Sequence, residues 1–463
     1  MNAARKKSKG RRPGAPISDK DLRRVDKMLR NLIERLHAED GSDEEDDDST
    51  TTARVMFMHA RLGGVLLTGR EAEMYNACKK AVTDLHGQSP EHRYVSASAA
   101  KNLIDKTILR CIRPKRKPAT RDTFKRRLSR ELRTFRKELI ALPTEWEVFV
   151  EVFGFGREVL PMSFGDIKFV RGSSRLGNAT GRKMPEFKPS RRWSKKRIEE
   201  EREVRAESRQ EIATALSSGT IAVLRVRASD GKAAQVLAVE RVRRATDILN
   251  FFAPYFDRAS IGQRAYVPPE GPRRSAFTLA VVESEAAAWN KGGWDHDDPI
   301  TDVKVRSGRA AEIGLKRAAQ VFAKTDPTDL EQRLLNGMAW AGRATVAHRR
   351  DEAFLFFSIA LEALLTKPGA RGGVTERVRL RAAQVIGLKP AGRKRVAELT
   401  QKLYSSRSEL VHSGNSLDVT PADLKLLREL VGRVLTAMLT DRRFKSMATS
   451  KELEAWFEDQ LFA

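Results

Sequence analysis

The run Ala353–Leu365 constrains this chain more than any other stretch, because only Ser358 and Glu362 interrupt its apolar residues. It is too short to cross a bilayer, which takes about 20 apolar residues. It is also too apolar all round to lie on a surface, so a helix here belongs at the centre of a bundle or at an interface. The flanking sequence supplies the other helices. Asp326-Pro327-Thr328-Asp329 opens one that carries Leu334, Leu335, Met338 and Trp340 and runs towards Arg349. Downstream, helical spacing covers about Thr375–Ile386, Gly392–His412 and Pro421–Leu439. A last short helix with Leu453, Trp456, Phe457 and Leu461 either packs back or mediates association. The spacing predicts an α-helical bundle over about 326–446.

Within it, the stretch Tyr404–Gly414 joins an arginine and a histidine to a helix stop. Val396, Leu399, Leu403 and Leu410 recur at helical spacing, and Arg407 falls in phase with them. An arginine turned to the packed side needs a reason to be there. Gly414 suits the left-handed residue that ends a helix, and Thr420-Pro421-Ala422-Asp423 reads as the cap of the next. Arg-x4-His alone is weak evidence. Three of the seven histidines have an arginine five residues earlier, the other pairs being Arg54/His59 and Arg343/His348. Context separates Arg407/His412: a polar Ser408 after the arginine, apolar residues before the histidine, then the stop.

Tyr-x-x-Arg-Ser-x-x-Val-His-Ser-Gly, taken with Leu334–Trp340 and Ser358–Leu365, resembles the HEPN superfamily over roughly 327–440, most of all its Apea-like branch. The resemblance implies a metal-independent endoribonuclease with Arg407 and His412 catalytic and two bundles paired as a homodimer so that both motifs face one cleft. It further implies an antiviral or abortive-infection role, with the N-terminal region sensing a phage-derived trigger. Ser408 departs from the asparagine, aspartate or histidine frequent in that family. Tyr404, Ser408 and Glu362 are expected to support the site, Glu362 either as a structural ion pair or by positioning Arg407. Positions five apart on a helix lie about 140° around its axis. His412 must therefore converge through the frayed helix end or across the dimer.

The residue types allow this chemistry. Attack by a ribose 2′-hydroxyl needs proton transfer and positive charge on the phosphorane. Histidine titrates near neutrality, and arginine stays charged and grips two phosphate oxygens. No cofactor is needed. Without catalysis, the same two residues would cap and salt-bridge a helix end, leaving a nucleic-acid-binding or dimerisation scaffold.

Charge points to the partner. The 463 residues hold 87 Lys and Arg against 61 Asp and Glu, a net charge of +26, which favours a polyanion, nucleic acid first; the resemblance makes that partner RNA. Arg113, Lys115, Arg116, Lys117, Lys125, Arg126, Arg127, Arg191 and Arg192 are the candidate backbone-binding cations. The alternative is solvated helix faces. No basic amphipathic helix shows a lipid-facing side, and two cysteines, Cys78 and Cys111, permit no disulfide framework. A basic N-terminus without an apolar stretch gives no secretory signal. The expectation is a soluble cytoplasmic protein without membrane contact.

Along the chain, 1–53 reads as a disordered tail, basic and then acidic (Glu39–Asp48), apart from a helix over Asp21–Leu36. Residues 54–142 read as a mostly helical basic region, including the apolar Val55–Leu67 and a face of Phe124, Leu128, Leu132 and Phe135. Near Pro143 the period changes to two, with Trp146, Val148, Val150 and Val152 alternating, so 143–325 reads as an α+β regulatory region. Its strands include Ile167–Val170, Ile221–Ala228 and Ala276–Val282. Gly172–Arg197 reads as an arginine-rich loop, Lys195–Glu211 as an exposed helix and Ala233–Phe252 as an amphipathic one. Trp294-Asp295-His296-Asp297-Asp298-Pro299 has metal-ligand residue types, but adjacent loop side chains rarely converge, and no metal is expected. Residues 326–446 form the HEPN-like bundle and 447–463 a C-terminal helix. The fold class is α+β, a mixed N-terminal and middle region followed by an all-α bundle.

Overall fold

A computed structural model describes residues 19–39, 55–59, 63–67, 69–87, 97–112, 121–141, 144–155, 160–182, 194–256, 276–282, 285–292, 311–347, 349–366, 373–413 and 419–460. The protein is mostly helical with a small sheet, an α+β arrangement. It divides into two units: residues 1–147, 226–237 and 280–288 in one, and 148–225, 238–279 and 289–463 in the other.

The first unit holds α1 (Asp19–Glu39), the hairpin β1 (Val55–His59) and β2 (Gly63–Leu67), α2 (Gly69–Gly87), α3 (Ala97–Ile112) and α4 (Arg121–Ala141). The amphipathic patterns expected for α1 and α4 bury Leu22, Val25, Leu29 and Leu32, and Phe124, Leu128, Leu132 and Phe135, with Ile33 buried beside them. These close one core with Tyr75, Ile104 and Ile108 of α2 and α3. Polar residues in this core are paired: Asp105 accepts from Tyr75 Oη at 2.6 Å and Lys101 Nζ at 2.7 Å. Burial, with Asp105 alongside, pushes the Tyr75 hydroxyl far above its ordinary value.

Val55–Leu67 departs from the helical expectation. It forms an antiparallel hairpin, with Val55 opposite Leu67 and His59 opposite Gly63. The physical reason lies in its composition: Gly63-Gly64 penalises a helix, while Val55, Phe57 and Val65 suit strands.

Strands β3 (Thr144–Val152), β4 (Met162–Phe164), β5 (Ile167–Arg171), β6 (Thr220–Ala228), β7 (Ala276–Val282) and β8 (Glu285–Gly292) form one sheet in the order β4-β5-β6-β3-β7-β8. The period-two reading of β3 holds for Trp146, Val148, Val150 and Val152, all buried, but Phe149 on the other face is buried as well. β4–β5 and β5–β6 are antiparallel, with Phe169 opposite Met162 and Ala222.

Gly172–Arg197 is not wholly a loop, because α5 (Ser174–Gly181) lies inside it. Ser173 caps that helix by accepting from Leu176 N at 3.1 Å. Gly177 lets it approach α6 (Lys195–Ala215) so closely that a Cβ would stand 2.2 Å from Ala213 O. Helix α6 is exposed as expected, burying only Ile212. Helix α7 (Gly231–Phe256) follows β6.

The C-terminal helices are α8 (Leu315–Phe322), α9 (Asp329–Val346), α10 (Arg350–Leu365), α11 (Val374–Ile386), α12 (Pro390–Ser413), α13 (Pro421–Thr440), α14 (Arg442–Lys445) and α15 (Ser450–Asp459). α10 packs against α9, α11, α12 and α13, the central place its apolar sequence demands. Thr328 opens α9 with a capping box to Glu331, and Thr420 caps α13 with Pro421 in its first turn. Helix α15 packs back on the bundle, burying Leu453 and Phe457. Glu454 meets Arg333 of α9 at 3.4 Å and pairs with Arg381 of α11. The Asp295–Asp298 segment lies outside the described residues.

Candidate functional site

Two rungs join α10 to α12. In the first, Tyr404 Oη donates to Ser358 O at 3.2 Å, while Ser358 Oγ donates to Phe354 O at 2.9 Å. In the second, Arg407 Nη2 lies 3.0 Å from Glu362 Oε1. Helical periodicity explains the pairing, since Tyr404 and Arg407 are three residues apart on α12 and Ser358 and Glu362 four apart on α10.

The second rung is half-buried, with Arg407 29% and Glu362 23% exposed. Burial pushes the Glu362 carboxyl up, and the Arg407 charge offsets this only in part. Glu362 Oε1 meets Arg407 as a charge contact without hydrogen-bond geometry, and the buried Arg407 Nε makes no hydrogen bond among the described residues. Tyr404 is buried, and burial together with the Glu362 charge drives its hydroxyl well above the usual range, against the pull of Arg407. Its hydroxyl, donated to Ser358 O, fastens the two helices.

His412 lies on the last turn of α12, at the helix end the sequence predicts. Ser408 is exposed. The far side of the connection to α13 is also fixed: Lys402 Nζ reaches Asp423 Oδ1 at 3.0 Å, and the Thr420 hydroxyl donates to Asp423 Oδ2 at 2.6 Å. Thr420 foremost, with Lys402, holds the Asp423 carboxyl below its ordinary value against the opposing effect of burial.

The two competing Arg-x4-His matches fall elsewhere. Arg343 pairs with Asp247 at 2.8 Å and stands over the Trp340 ring at 5.1 Å, a packing role. His59 ends a strand.

Of the backbone-binding candidates, Lys125 and Arg126 are exposed on α4. Arg127 is turned inward, donating from Nη1 to Cys111 O at 3.2 Å. Arg113, Lys115, Arg116, Lys117, Arg191 and Arg192 lie outside the described residues. Arg130, Arg133 and Lys137, in the basic stretch 121–137 of the same helix, are exposed as well. Among the described residues no group of His, Cys, Asp and Glu could hold a metal ion, and no helix is long and apolar enough to cross a membrane.

Comparison with known proteins finds no matching family model, curated protein or solved structure.

Proposed function

We propose that the α9–α13 bundle is the catalytic unit of a metal-independent endoribonuclease, as its resemblance to HEPN proteins implies. The observation that carries this reading is Arg407, seated beside Glu362 on the helix whose last turn bears His412. A ribose 2′-hydroxyl attacks the adjacent phosphorus and the bond to the 5′-oxygen breaks. His412 moves one of the two protons, and Arg407 carries charge on the phosphorane. The products are a 2′,3′-cyclic phosphate and a 5′-hydroxyl. DNA, without the attacking group, is spared. A second copy of the chain would supply the remaining acid–base group across a bundle–bundle cleft. In this reading the enzyme is an antiviral effector held in check by its N-terminal and middle regions until a phage-derived trigger arrives.

One observation favours a second reading. The Tyr404–Ser358 and Arg407–Glu362 rungs also serve as plain fasteners between α10 and α12, which suits a non-catalytic scaffold that binds nucleic acid or dimerises. Expression of wild type and His412→Ala at matched levels, with and without phage challenge, separates the two. Growth arrest and RNA fragments with cyclic-phosphate ends, present only with wild type, support the nuclease. Equal behaviour of the two proteins in both conditions supports the scaffold.

A further inference from the structure

We propose that the outward face of α4 is a sequence-independent docking site for the phosphate backbone of RNA, gripped by Arg126, Arg130, Arg133 and Lys137. All four side chains are exposed. Their spacing of four, three and four residues keeps them within about 60° of the helix circumference and spreads them over about 16 Å. The opposite side of α4 is the buried face of Phe124, Leu128, Leu132, Phe135 and Leu139. The stripe is therefore held by the core of the first unit, on a rigid element.

The acids of α4 are placed so as to leave this face positive. Glu138 is turned to α3, pairing with Lys106 at 2.9 Å and Arg110 at 3.3 Å. Glu131 lies 3.9 Å from Arg110 and also accepts from Arg130 at 3.0 Å, so one stripe residue is partly neutralised. Arg133 leans on Ser129 O at 3.3 Å, which holds its stem along the helix. Only Asp122 among the acids of α4 sits at the end of the exposed face.

Charge complementarity selects the occupant. A row of cations a few ångströms apart matches a chain of regularly spaced phosphates and reads no base. A lipid surface fits less well, because the one large apolar side chain exposed on α4 is Ile140, and an interfacial helix needs an apolar face to insert. The inference rests on the nuclease reading only for the choice of RNA. It uses none of the residues of that site, and the two can fail separately.

The test is anisotropy of a fluorescein-labelled 30-nucleotide single-stranded RNA on the full chain carrying His412→Ala, which keeps the probe intact, over a salt series. In that background Arg126→Gln, Arg130→Gln, Arg133→Gln and Lys137→Gln are combined. A control removes the same number of exposed charges from α6 (Lys195→Gln, Lys196→Gln, Arg202→Gln, Arg209→Gln). Four lost phosphate contacts should flatten the slope of log K against log salt by about 3 and weaken binding more than tenfold near 0.1 M salt. The α6 control should keep the parental slope. Equal losses in both variants, or none in the α4 variant, overturn the proposal. So does loss of binding to phosphatidylserine vesicles in the α4 variant with RNA binding intact. The exposed positions should leave thermal melting within a few degrees of the parent, which shows that any loss is local. Cleavage by the wild-type chain is scored separately and reports on the nuclease reading alone.

Discussion

Arg407 and Glu362 face each other at 3.0 Å across α12 and α10, and burial raises the Glu362 carboxyl more than the arginine lowers it. The sign follows. Stability linked to the protonated carboxyl is present below the unfolded value and is lost as pH rises through the higher folded one. Glu362→Gln, which mimics the protonated form, should raise the melting temperature at pH 7 by roughly 1–3 °C. The gain should vanish below about pH 4, where wild type is protonated too. A melting series from pH 3.5 to 8 checks this. A loss of stability at pH 7 would show that the ion pair outweighs its desolvation.

Close packing of α7 against α9 depends on Gly342. A Cβ there would stand 1.6 Å from Asp247 O, backbone that cannot swing aside. Gly342→Ala should cost about 3 kcal/mol or more, or prevent folding. Gly392, near the start of α12, meets nothing within 4 Å of an added Cβ. Gly392→Ala should therefore stabilise by about 0.5 kcal/mol through helix propensity. Urea titrations of the two variants should shift in opposite directions.

The uneven legibility of the fold has physical causes. Helix α10 could be read because an all-apolar run of that length has few places to go, and β3 because its period switches to two. Thr328 and Thr420 announced their helices through capping chemistry that is local in sequence. The hairpin at Val55–Leu67 escaped because neither five-residue strand alternates polar with apolar, so periodicity carries no signal. Helix α5 escaped because its stability is tertiary: two glycines lower its propensity, and the close approach of Gly177 to Ala213 compensates. At the site, phase placed Arg407 on the packed side, and Glu362 stood out as one of two polar residues in an apolar helix. That Tyr404 would meet a backbone carbonyl of Ser358 could not be read, because backbone acceptors leave no mark in sequence. On α4 the density of basic residues was plain, yet only the core direction shows that Arg127 turns inward while Arg130, Arg133 and Lys137 turn out.

Glu331 ties the start of α9 to α8 and the turn after it. Its carboxylate takes Lys324 Nζ at 2.6 Å, Arg317 Nη2 at 3.2 Å and Thr328 N at 3.1 Å. Burial pushes this carboxyl up, but Lys324, Thr328 and Arg317 together bring it below its ordinary value. The associated stability is therefore present above the unfolded value and lost as pH falls through the lower folded one. Glu331→Gln should cost about 2 kcal/mol at pH 7, and the gap from wild type should narrow towards pH 3. Urea unfolding at pH 7, 5 and 3.5 gives the three points needed. A gap independent of pH would mean that lost packing, not lost charge, dominates.

Glu454 clamps α15 to the end of α10 through two arginines. Arg333, 6% exposed on its side chain, also donates to Leu364 O at 2.8 Å and Ala363 O at 3.3 Å, and Arg381 donates to Leu365 O at 2.7 Å. The last carbonyls of α10 are thus satisfied by the same cations that hold α15, within one turn of Glu362. Glu454→Gln leaves two poorly solvated guanidiniums without their counter-charge and should cost about 2 kcal/mol. The loss should begin locally. Trp456, packed on Phe444 at 5.1 Å, should report a shifted emission at urea concentrations where the bundle's far-ultraviolet dichroism is unchanged. Hydrogen exchange should quicken in 450–459 and in the last turn of α10 before it does in α13. Uniform acceleration across the bundle would mean that α15 is an inseparable part of the core and not a clamp upon it.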